Sequence, residues 1–115
     1  MKKSILICDD EEGIRESFKL ILEKDYELSF AIDGNEALKA VKKGPVDLVI
    51  MDIKMPRMDG IETIRKLKHT IPDIKVLVTS GYKSVETAQE AVAAGAADYI
   101  VKPFSPGELL ARLRA

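Results

Sequence analysis

Acidic, hydroxyl and basic side chains follow four separate apolar runs of the chain. Each run is short enough to be a strand, and the polar residues at the four ends are Asp9-Asp10, Asp52, Thr79-Ser80 and Lys102. If the fold brings these ends together, the carboxylates repel one another unless a cation joins them. Magnesium suits such a site, because it takes oxygen ligands and leaves room for water or phosphate oxygens. The residue types therefore favour Mg²⁺-dependent phosphoryl chemistry, with Mn²⁺ as an alternative ion.

Asp52 is the candidate for the reacting group. It directly follows the apolar residues 48–51, so it leaves a buried strand at the edge of the sheet. An aspartate carboxylate is a known phosphate acceptor, and a metal ion together with an ammonium such as Lys102 stabilises charge on the transferring group. The sequence has neither a G-x-x-x-x-G-K-[ST] nor a G-x-G-x-x-G motif. A nucleotide bound in the usual ways is therefore not the phosphate donor.

Each of these residues also has an ordinary structural explanation. Asp9 or Asp10 could cap the helix that follows, with Glu11 and Glu12 favouring its positive end. Asp52 could be a turn residue, and a lone lysine is more often solvated than functional. For Asp52 alone the structural and functional interpretations weigh equally. The functional hypothesis therefore depends on the fold bringing the strand ends together.

The elements that would position these side chains alternate between strand and helix patterns. We predict strands at residues 4–8, 28–32, 48–51, 74–79 and 99–101, separated by apolar residues at helical spacing. Capping boxes, formed by Asp33 with Glu36 and by Ser105 with Glu108, predict the starts of two helices. Buried strands alternating with helices predict an α/β fold, a doubly wound five-stranded parallel sheet of order 2-1-3-4-5 with five helices. Its ligand site lies beyond the carboxyl ends of strands one and three.

Composition and charge exclude several other classes of protein. The chain has 115 residues, 46% hydrophobic and 32% charged, which predicts one globular domain. The net charge of -1 lacks the basic excess of a nucleic-acid module, so we expect no direct contact with nucleic acid. No apolar run could cross a bilayer, so we expect no membrane association and a cytoplasmic location. The single Cys8 agrees with a reducing compartment and is expected to be an inert core thiol.

The motifs around these positions resemble the receiver domain of two-component response regulators over essentially the whole chain. The resemblance rests on Asp9-Asp10, residues 51–56 with Asp59-Gly60, Ser80-Gly81, residues 95–99 and residues 102–104. Any one motif is weak, but all of them in order and at compatible spacing are highly specific. The resemblance implies that residues 1–115 are one receiver domain, the N-terminal part of a longer regulator. It also implies a phosphoacceptor that promotes its own phosphotransfer and dephosphorylation, not an enzyme with an external substrate.

The resemblance implies roles for five residues at the metal and phosphate site. Asp52 would be the phosphoacceptor. Asp10 and Asp52 would bind Mg²⁺ directly, together with the backbone carbonyl of Lys54, and Asp9 would act largely through water. Lys102 would contact the phosphoryl oxygens, and its bond to the following proline resembles the cis peptide of the family.

Further residues resemble those that take part in the phosphorylation-dependent conformational change in the family. Ser80 is the expected switching hydroxyl, because its spacing to Lys102 matches the family without a gap; Thr79 is the alternative. Tyr99 would be the aromatic residue whose orientation reports phosphorylation, although a half-buried strand tyrosine needs no such role. Lys54 and Tyr82 occupy positions that set the lifetime of the phosphorylated state.

The partners are also implied by the resemblance. The donor would be a phosphohistidine on a separate sensor histidine kinase, since the single His69 is predicted on the third helix, away from the site. The readout face would be formed by the fourth helix, the fifth strand and the fifth helix. It would control an output domain or a partner protein, with transcription regulation as a candidate output, or form a phosphorylation-dependent homodimer.

Three other functions fit the same fold less well. A pseudo-receiver, used only for constitutive protein interaction, would not need the complete set of acids, hydroxyl and lysine. A flavodoxin-like cofactor binder would need a Gly- and hydroxyl-rich loop after the first strand, where this chain has acids. A phosphohydrolase working through an aspartyl-phosphate usually carries a second acid two residues after the nucleophile, and that position is Lys54.

Overall fold

The structure is a computed structural model that describes residues 2–53, 60–81 and 85–114. Within these ranges five strands and five helices alternate along the chain. They are β1 (Lys3–Cys8), α1 (Glu12–Leu22), β2 (Tyr26–Ala31), α2 (Gly34–Lys43), β3 (Leu48–Asp52), α3 (Gly60–Thr70), β4 (Lys75–Ser80), α4 (Val85–Ala93), β5 (Asp98–Val101) and α5 (Pro106–Arg114).

All five strands form one parallel sheet. Their order is β2-β1-β3-β4-β5, and each neighbouring pair is parallel. The predicted fold class and strand order are therefore confirmed. Because successive strand side chains point to opposite faces, the continuous apolar strands require cover on both sides.

A separate hydrophobic core lies on each face of the sheet. On one face, alternate residues of β1, β3 and β4 pack against α2, α3 and α4; this cluster includes Leu6, Val49, Met51, Val76, Val78, Ala37, Ile64, Leu67 and Ala91. On the other face, the intervening strand residues pack against α1 and α5; this cluster includes Ile5, Ile7, Ile50, Leu77, Ile100, Phe18, Leu22 and Leu109. The two cores hold the central strands rigidly and leave their carboxyl ends as the place where polar side chains can gather.

Both predicted helix caps are present. Asp33 Oδ1 accepts a hydrogen bond from the Glu36 amide at 2.9 Å, and Ser105 Oγ accepts one from the Glu108 amide at 3.1 Å. The Glu36 carboxylate reaches one residue further back than a capping box requires and accepts from the Ile32 amide at 2.9 Å. The bonds from the Glu36 and Glu108 amides satisfy groups that the first helical turn leaves without partners.

Each predicted strand is wrong by one or two residues at one or both ends, and the ends of β2 and β4 have a clear reason. β2 ends at Ala31 and not at residue 32, because the Ile32 amide is bonded to Glu36 and no longer serves the sheet. β4 runs one residue past the predicted end, because Ser80 still pairs with Val101 of β5. The second difference matters for the site, since it places Ser80 inside the sheet ladder.

A glycine turn connects α4 to β5. Gly95 has a φ of 112°, a conformation that residues with a side chain rarely adopt. The Ala96 amide donates to the Ala91 carbonyl and the Gly95 amide to the Val92 carbonyl, at 2.9 and 3.0 Å. These two bonds form a Schellman motif, which ends the helix and directs the chain into the last strand. None of the helices in the described ranges is long and apolar enough to cross a membrane.

Candidate metal centre at the carboxyl edge of the sheet

Three aspartates meet at the carboxyl ends of β1 and β3. Cys8 pairs with Met51, so the next residues along the two strands, Asp9 and Asp52, lie side by side. One carboxylate oxygen from each of Asp9, Asp10 and Asp52 lies within 4.8 Å of the other two. Asp9 and Asp52 are only 1% and 4% exposed, whereas Asp10 is exposed. The predicted convergence of the acids is therefore present in the structure.

Backbone hydrogen bonds hold the two buried aspartates in place. The Asp9 amide donates to the Ala31 carbonyl at 3.0 Å, which continues the β1–β2 ladder past the end of β1. The Ile53 amide donates to the Thr79 carbonyl at 3.2 Å and does the same for β3. Both carboxylates are thus carried by backbone that the sheet itself fixes.

Asp9 also has a structural role. Its Oδ1 accepts a hydrogen bond from the Glu11 amide at 2.9 Å, and its carbonyl accepts one from Arg15 Nη1 at 2.9 Å. The N-cap of α1 is nevertheless Glu11, and its own side chain makes no capping bond. Asp9 therefore shapes the turn before α1 without capping that helix, and its Oδ2 is directed to a different partner.

That partner is the ammonium of Lys102, which follows β5. Lys102 Nζ lies 2.8 Å from Asp9 Oδ2 and 3.3 Å from Asp52 Oδ2, so it bridges two carboxylates. Burial alone would lower the pKa of Lys102, but the hydrogen bond to Asp9 and the negative charges of Asp52 and Asp9 outweigh burial and raise it. Lys102 is therefore a cation at neutral pH. The peptide bond between Lys102 and Pro103 is cis, as the resemblance implied.

The two adjacent hydroxyl residues, Thr79 and Ser80, lie at the end of β4. Thr79 pairs with Asp52 on one side and with Ile100 on the other, while Ser80 pairs with Val101. Both are buried, and strand alternation directs them to opposite faces of the sheet. The structure thus brings both candidate hydroxyls to the edge where the acids lie.

The other predicted residues lie further from the carboxylates or outside the described ranges. Tyr99 is half-buried on β5, and its carbonyl is 3.4 Å from Arg112 Nη1. His69 lies in the last turn of α3. Lys54 and Tyr82, expected to supply a metal-binding carbonyl and to tune the lifetime, lie outside the described residues.

Cys8 is a buried thiol in β1, close to the acids but not among them. Its Sγ donates to the Asp33 carbonyl at 3.3 Å. Burial raises the pKa of the thiol, and the charges of Asp33 and Asp9 raise it further. A thiol with a raised pKa is a poor nucleophile and a poor metal ligand, which agrees with the expected inert core role.

Two features of the site were not predicted from the sequence. The bond between Lys102 and Asp9 was missed, because Lys102 was expected to pair with Asp52 or a phosphate. Gly60, the first residue of α3, was noted only as part of a motif. A Cβ at this position would lie 2.8 Å from the Asp52 carbonyl oxygen and would also clash with the Ile53 backbone. The sequence did offer a signal for this close approach, namely a glycine at the start of the helix that follows the strand ending at Asp52.

The donor set fits a hard divalent cation. Three carboxylates offer only oxygen ligands, and the exposed Asp10 leaves one side of the cluster open to water or phosphate. Mg²⁺ is usually bound by one or two carboxylates and retains several waters. The arrangement can therefore hold such an ion beside Asp52, the carboxylate that Lys102 also contacts.

The comparison with known families identifies the chain. The family model described as "Response regulator receiver domain" matches residues 5–114, which include every aspartate of the cluster and Lys102. The chain belongs to this family. A receiver domain is a phosphorylation-based signalling module of two-component systems, a phosphoacceptor and not an enzyme in the usual sense.

Individual relatives agree with this assignment. Response regulator MprA of Mycolicibacterium vanbaalenii is 41% identical over 116 residues, covering 100% of this chain and 50% of that protein. A CheY-like receiver domain protein of Methanospirillum hungatei has a TM-score of 0.94 at 36% identity, covering 99% of this chain and 92% of the other. The BeF3-activated DrrB receiver domain has a TM-score of 0.91 at 28% identity, covering 99% and 96%. This receiver domain thus spans about half the length of the curated relatives it matches.

Substituting Gly60 tests whether the close approach of α3 supports the Asp52 segment. Because its Cβ would press on the backbone of Asp52 and Ile53, we expect Gly60→Ala to lower the free energy of unfolding by about 1–3 kcal/mol. In the matched control Gly13→Ala the Cβ meets nothing within 4 Å, so stability should rise by up to about 1 kcal/mol. Urea denaturation measures both, and a neutral Gly60→Ala would show that the contact is unimportant.

Magnesium titration tests the metal site without any phosphorylation. We expect Mg²⁺ to raise the unfolding midpoint, since a ligand at 100 times its Kd stabilises the folded state by about 2.7 kcal/mol. Asp10→Asn removes one ligand charge and should weaken binding roughly tenfold or more. The control Asp25→Asn changes an exposed aspartate in the turn before β2 and should behave like the parent. Equal midpoint shifts in all three proteins would exclude the aspartate cluster as the binding site.

Proposed function

We propose that this receiver domain accepts a phosphoryl group on Asp52 from a sensor histidine kinase, in a reaction that requires Mg²⁺. The observation that carries the proposal is the meeting of the three carboxylates within 4.8 Å, with the Lys102 ammonium 3.3 Å from Asp52. A buried carboxylate flanked by a cation site and an ammonium is suited to attack phosphorus, because both positive charges offset the negative charge of the incoming group.

In this proposal the aspartates divide the work of holding the cation. Asp10 and Asp52 would bind it directly, together with the carbonyl of Lys54, and Asp9 would act largely through water. When bound, Mg²⁺ neutralises charge on the transferring group and orients its oxygens. Asp52 is held by the end of β3, so the reacting oxygen is already fixed in position before the donor arrives.

Lys102 stabilises the product in the same proposal. Its ammonium leaves Asp9 or Asp52 and binds an oxygen of the new phosphoryl group as a compact point charge. The Ser80 hydroxyl donates a second hydrogen bond to that group. Each charge-assisted bond is worth roughly 1.5–3 kcal/mol. Two or three of them approach the roughly 5.5 kcal/mol that moves a two-state equilibrium from 1:99 to 99:1.

The readout is proposed for the face formed by α4, β5 and α5. Tyr99 lies on β5 within this face, and the neighbouring Asp98 forms an ion pair with Arg112 of α5 at 2.8 Å. A shift of Ser80 towards the phosphoryl group would act on the adjacent β5, because Ser80 pairs with Val101 and its carbonyl accepts from the Lys102 amide at 2.8 Å. Tyr99 then changes orientation and alters the surface offered to a partner or a second copy.

The partners follow from the family and from the length of the relatives. A receiver domain works with a sensor kinase and an output domain, and the relatives are about twice as long as this chain. We propose that residues 1–115 are the N-terminal receiver of a longer regulator whose output is transcription. Phosphorylation-dependent dimerisation is the simplest way for the α4-β5-α5 face to control that output.

Intact-mass measurement tests the phosphoacceptor. Incubation with a small acyl phosphate and Mg²⁺ should add one phosphoryl group to the parent protein and none to Asp52→Asn. Omitting Mg²⁺ should abolish the addition, and the control Asp25→Asn should be labelled like the parent. An adduct that persists in Asp52→Asn would contradict the proposal. So would a parent that neither forms the adduct nor shows Mg²⁺-dependent stabilisation by beryllofluoride.

The lifetime of the phosphorylated state tests the proposed role of Tyr82. If this bulky side chain hinders the hydrolytic water, Tyr82→Ala should lose the phosphoryl group faster than the parent, by several-fold or more. Tyr82→Phe keeps the ring and should behave like the parent. The decay of the phosphorylated mass after removal of the donor measures all three proteins. An unchanged rate in Tyr82→Ala would end the idea.

A further inference from the structure

The side-chain hydroxyl of Thr79 is buried at the carboxyl end of β4. Thr79 is 1% exposed, and its Oγ1 has no hydrogen-bond partner among the described residues. Buried hydroxyls are nearly always paired, because an unmade hydrogen bond leaves the cost of removing the group from water uncompensated. Valine has the same shape and would avoid that cost. An unpaired hydroxyl at the edge of a functional site therefore calls for an explanation.

Thr79 lies on the same face of the sheet as the two buried aspartates. It pairs directly with Asp52, and residues two positions earlier in β1, β3 and β4 all belong to the core beneath α1 and α5; these are Ile7, Ile50 and Leu77. Strand alternation continues this row at the carboxyl edge as Asp9, Asp52 and Thr79. Neighbouring strands are about 4.8 Å apart, so Thr79 lies one strand away from the phosphoacceptor.

The side chain of Lys102 crosses the end of β4, where Thr79 lies. Lys102 follows β5, but its ammonium binds Asp52 on β3 and Asp9 after β1. Because β4 separates β5 from β3 in the sheet, the lysine stem has to pass β4 to make these contacts. Of the two hydroxyl residues at that end, Thr79 is the one that shares the face of Asp52.

The partners of Lys102 change when the site is loaded. In the structure its ammonium donates one hydrogen bond to Asp9 at 2.8 Å and one to Asp52 at 3.3 Å. A cation bound by the aspartates and a phosphoryl group on Asp52 compete for those same oxygens. An ammonium has three donors, so the phosphoryl group alone does not satisfy it. The remaining donor of Lys102 then needs a neutral hydrogen-bond acceptor nearby, one that does not bind the metal cation strongly.

We propose that Thr79 is a positioning residue for Lys102, whose hydroxyl accepts a hydrogen bond from the ammonium when the cation and phosphoryl group draw Asp9 and Asp52 away. This inference rests on the proposed phosphorylation of Asp52 and adds a second hydroxyl to the site beside Ser80. Thr79 acts on the reaction only through Lys102. Within the described part of the chain its hydroxyl has no partner, because the ammonium that it would bind is held by the carboxylates.

The test compares Thr79→Val, which keeps the shape, with Thr79→Ser, which keeps the hydroxyl. In metal-free, unphosphorylated protein we expect Thr79→Val to unfold at the same or a higher temperature than the parent, since no hydrogen bond is lost. With acyl phosphate and Mg²⁺, its rate of Asp52 phosphorylation should fall roughly tenfold, the equivalent of one charge-assisted hydrogen bond. Thr79→Ser should retain most of the parent rate.

A double-mutant cycle shows whether the effect passes through Lys102. In a Lys102→Gln background, Thr79→Val should have little further effect on the phosphorylation rate, because the two residues act as a unit. Equal rates for Thr79→Val and the parent, equal losses in Thr79→Val and Thr79→Ser, or a lower metal-free midpoint in Thr79→Val would each overturn this inference alone. A parent that is never labelled on Asp52 would overturn the proposed function and this inference with it.

Discussion

Repulsion between like charges at one edge of the sheet is the constraint on which the rest of the site depends. Asp9, Asp10 and Asp52 each place a carboxylate oxygen within 4.8 Å of the others, and two of these groups are buried. Buried charges of one sign are tolerated only when opposite charge compensates them. Lys102 supplies that compensation for Asp9 and Asp52, so the site is held together by the residue that the proposed mechanism requires to move.

The sheet makes this concentration of charge possible. Its two faces are covered by separate hydrophobic cores, which leaves the carboxyl edge as the place where the central strands can carry polar groups. The same cores fix the strand ends, so the carboxylates cannot relieve their repulsion by moving apart. The close packing of Gly60 on the Asp52 backbone restricts that movement further. Apolar packing elsewhere in the domain therefore offsets the unfavourable free energy of bringing the acids together, as is common at functional sites.

The fold was predictable from the sequence because its signals are periodic and local. Apolar strands alternating with helical patterns leave few strand orders, of which 2-1-3-4-5 is the leading one. The caps at Asp33 and Ser105 depend on residues only three positions apart. The meeting of the acids followed from strand order alone. The Lys102–Asp9 pair was not predictable, since the two residues are 93 positions apart and their contact depends on side-chain conformation. The one-residue extension of β4 was missed for a similar reason, because only pairing with β5 shows that Ser80 is still in the ladder.

The arrangement of partners around Lys102 defines the two end states of the proposed switch. In the proposed mechanism the Lys102 ammonium bridges Asp9 and Asp52 before phosphorylation and binds the phosphoryl group and the Thr79 hydroxyl after it, and it cannot hold both sets of bonds at once. Intermediate positions would leave a buried charge partly unpaired, which is costly at this depth. The site therefore favours two discrete arrangements over a continuous range. Because the Lys102 amide is bonded to the Ser80 carbonyl, a change at the ammonium is connected through one residue to both β4 and β5.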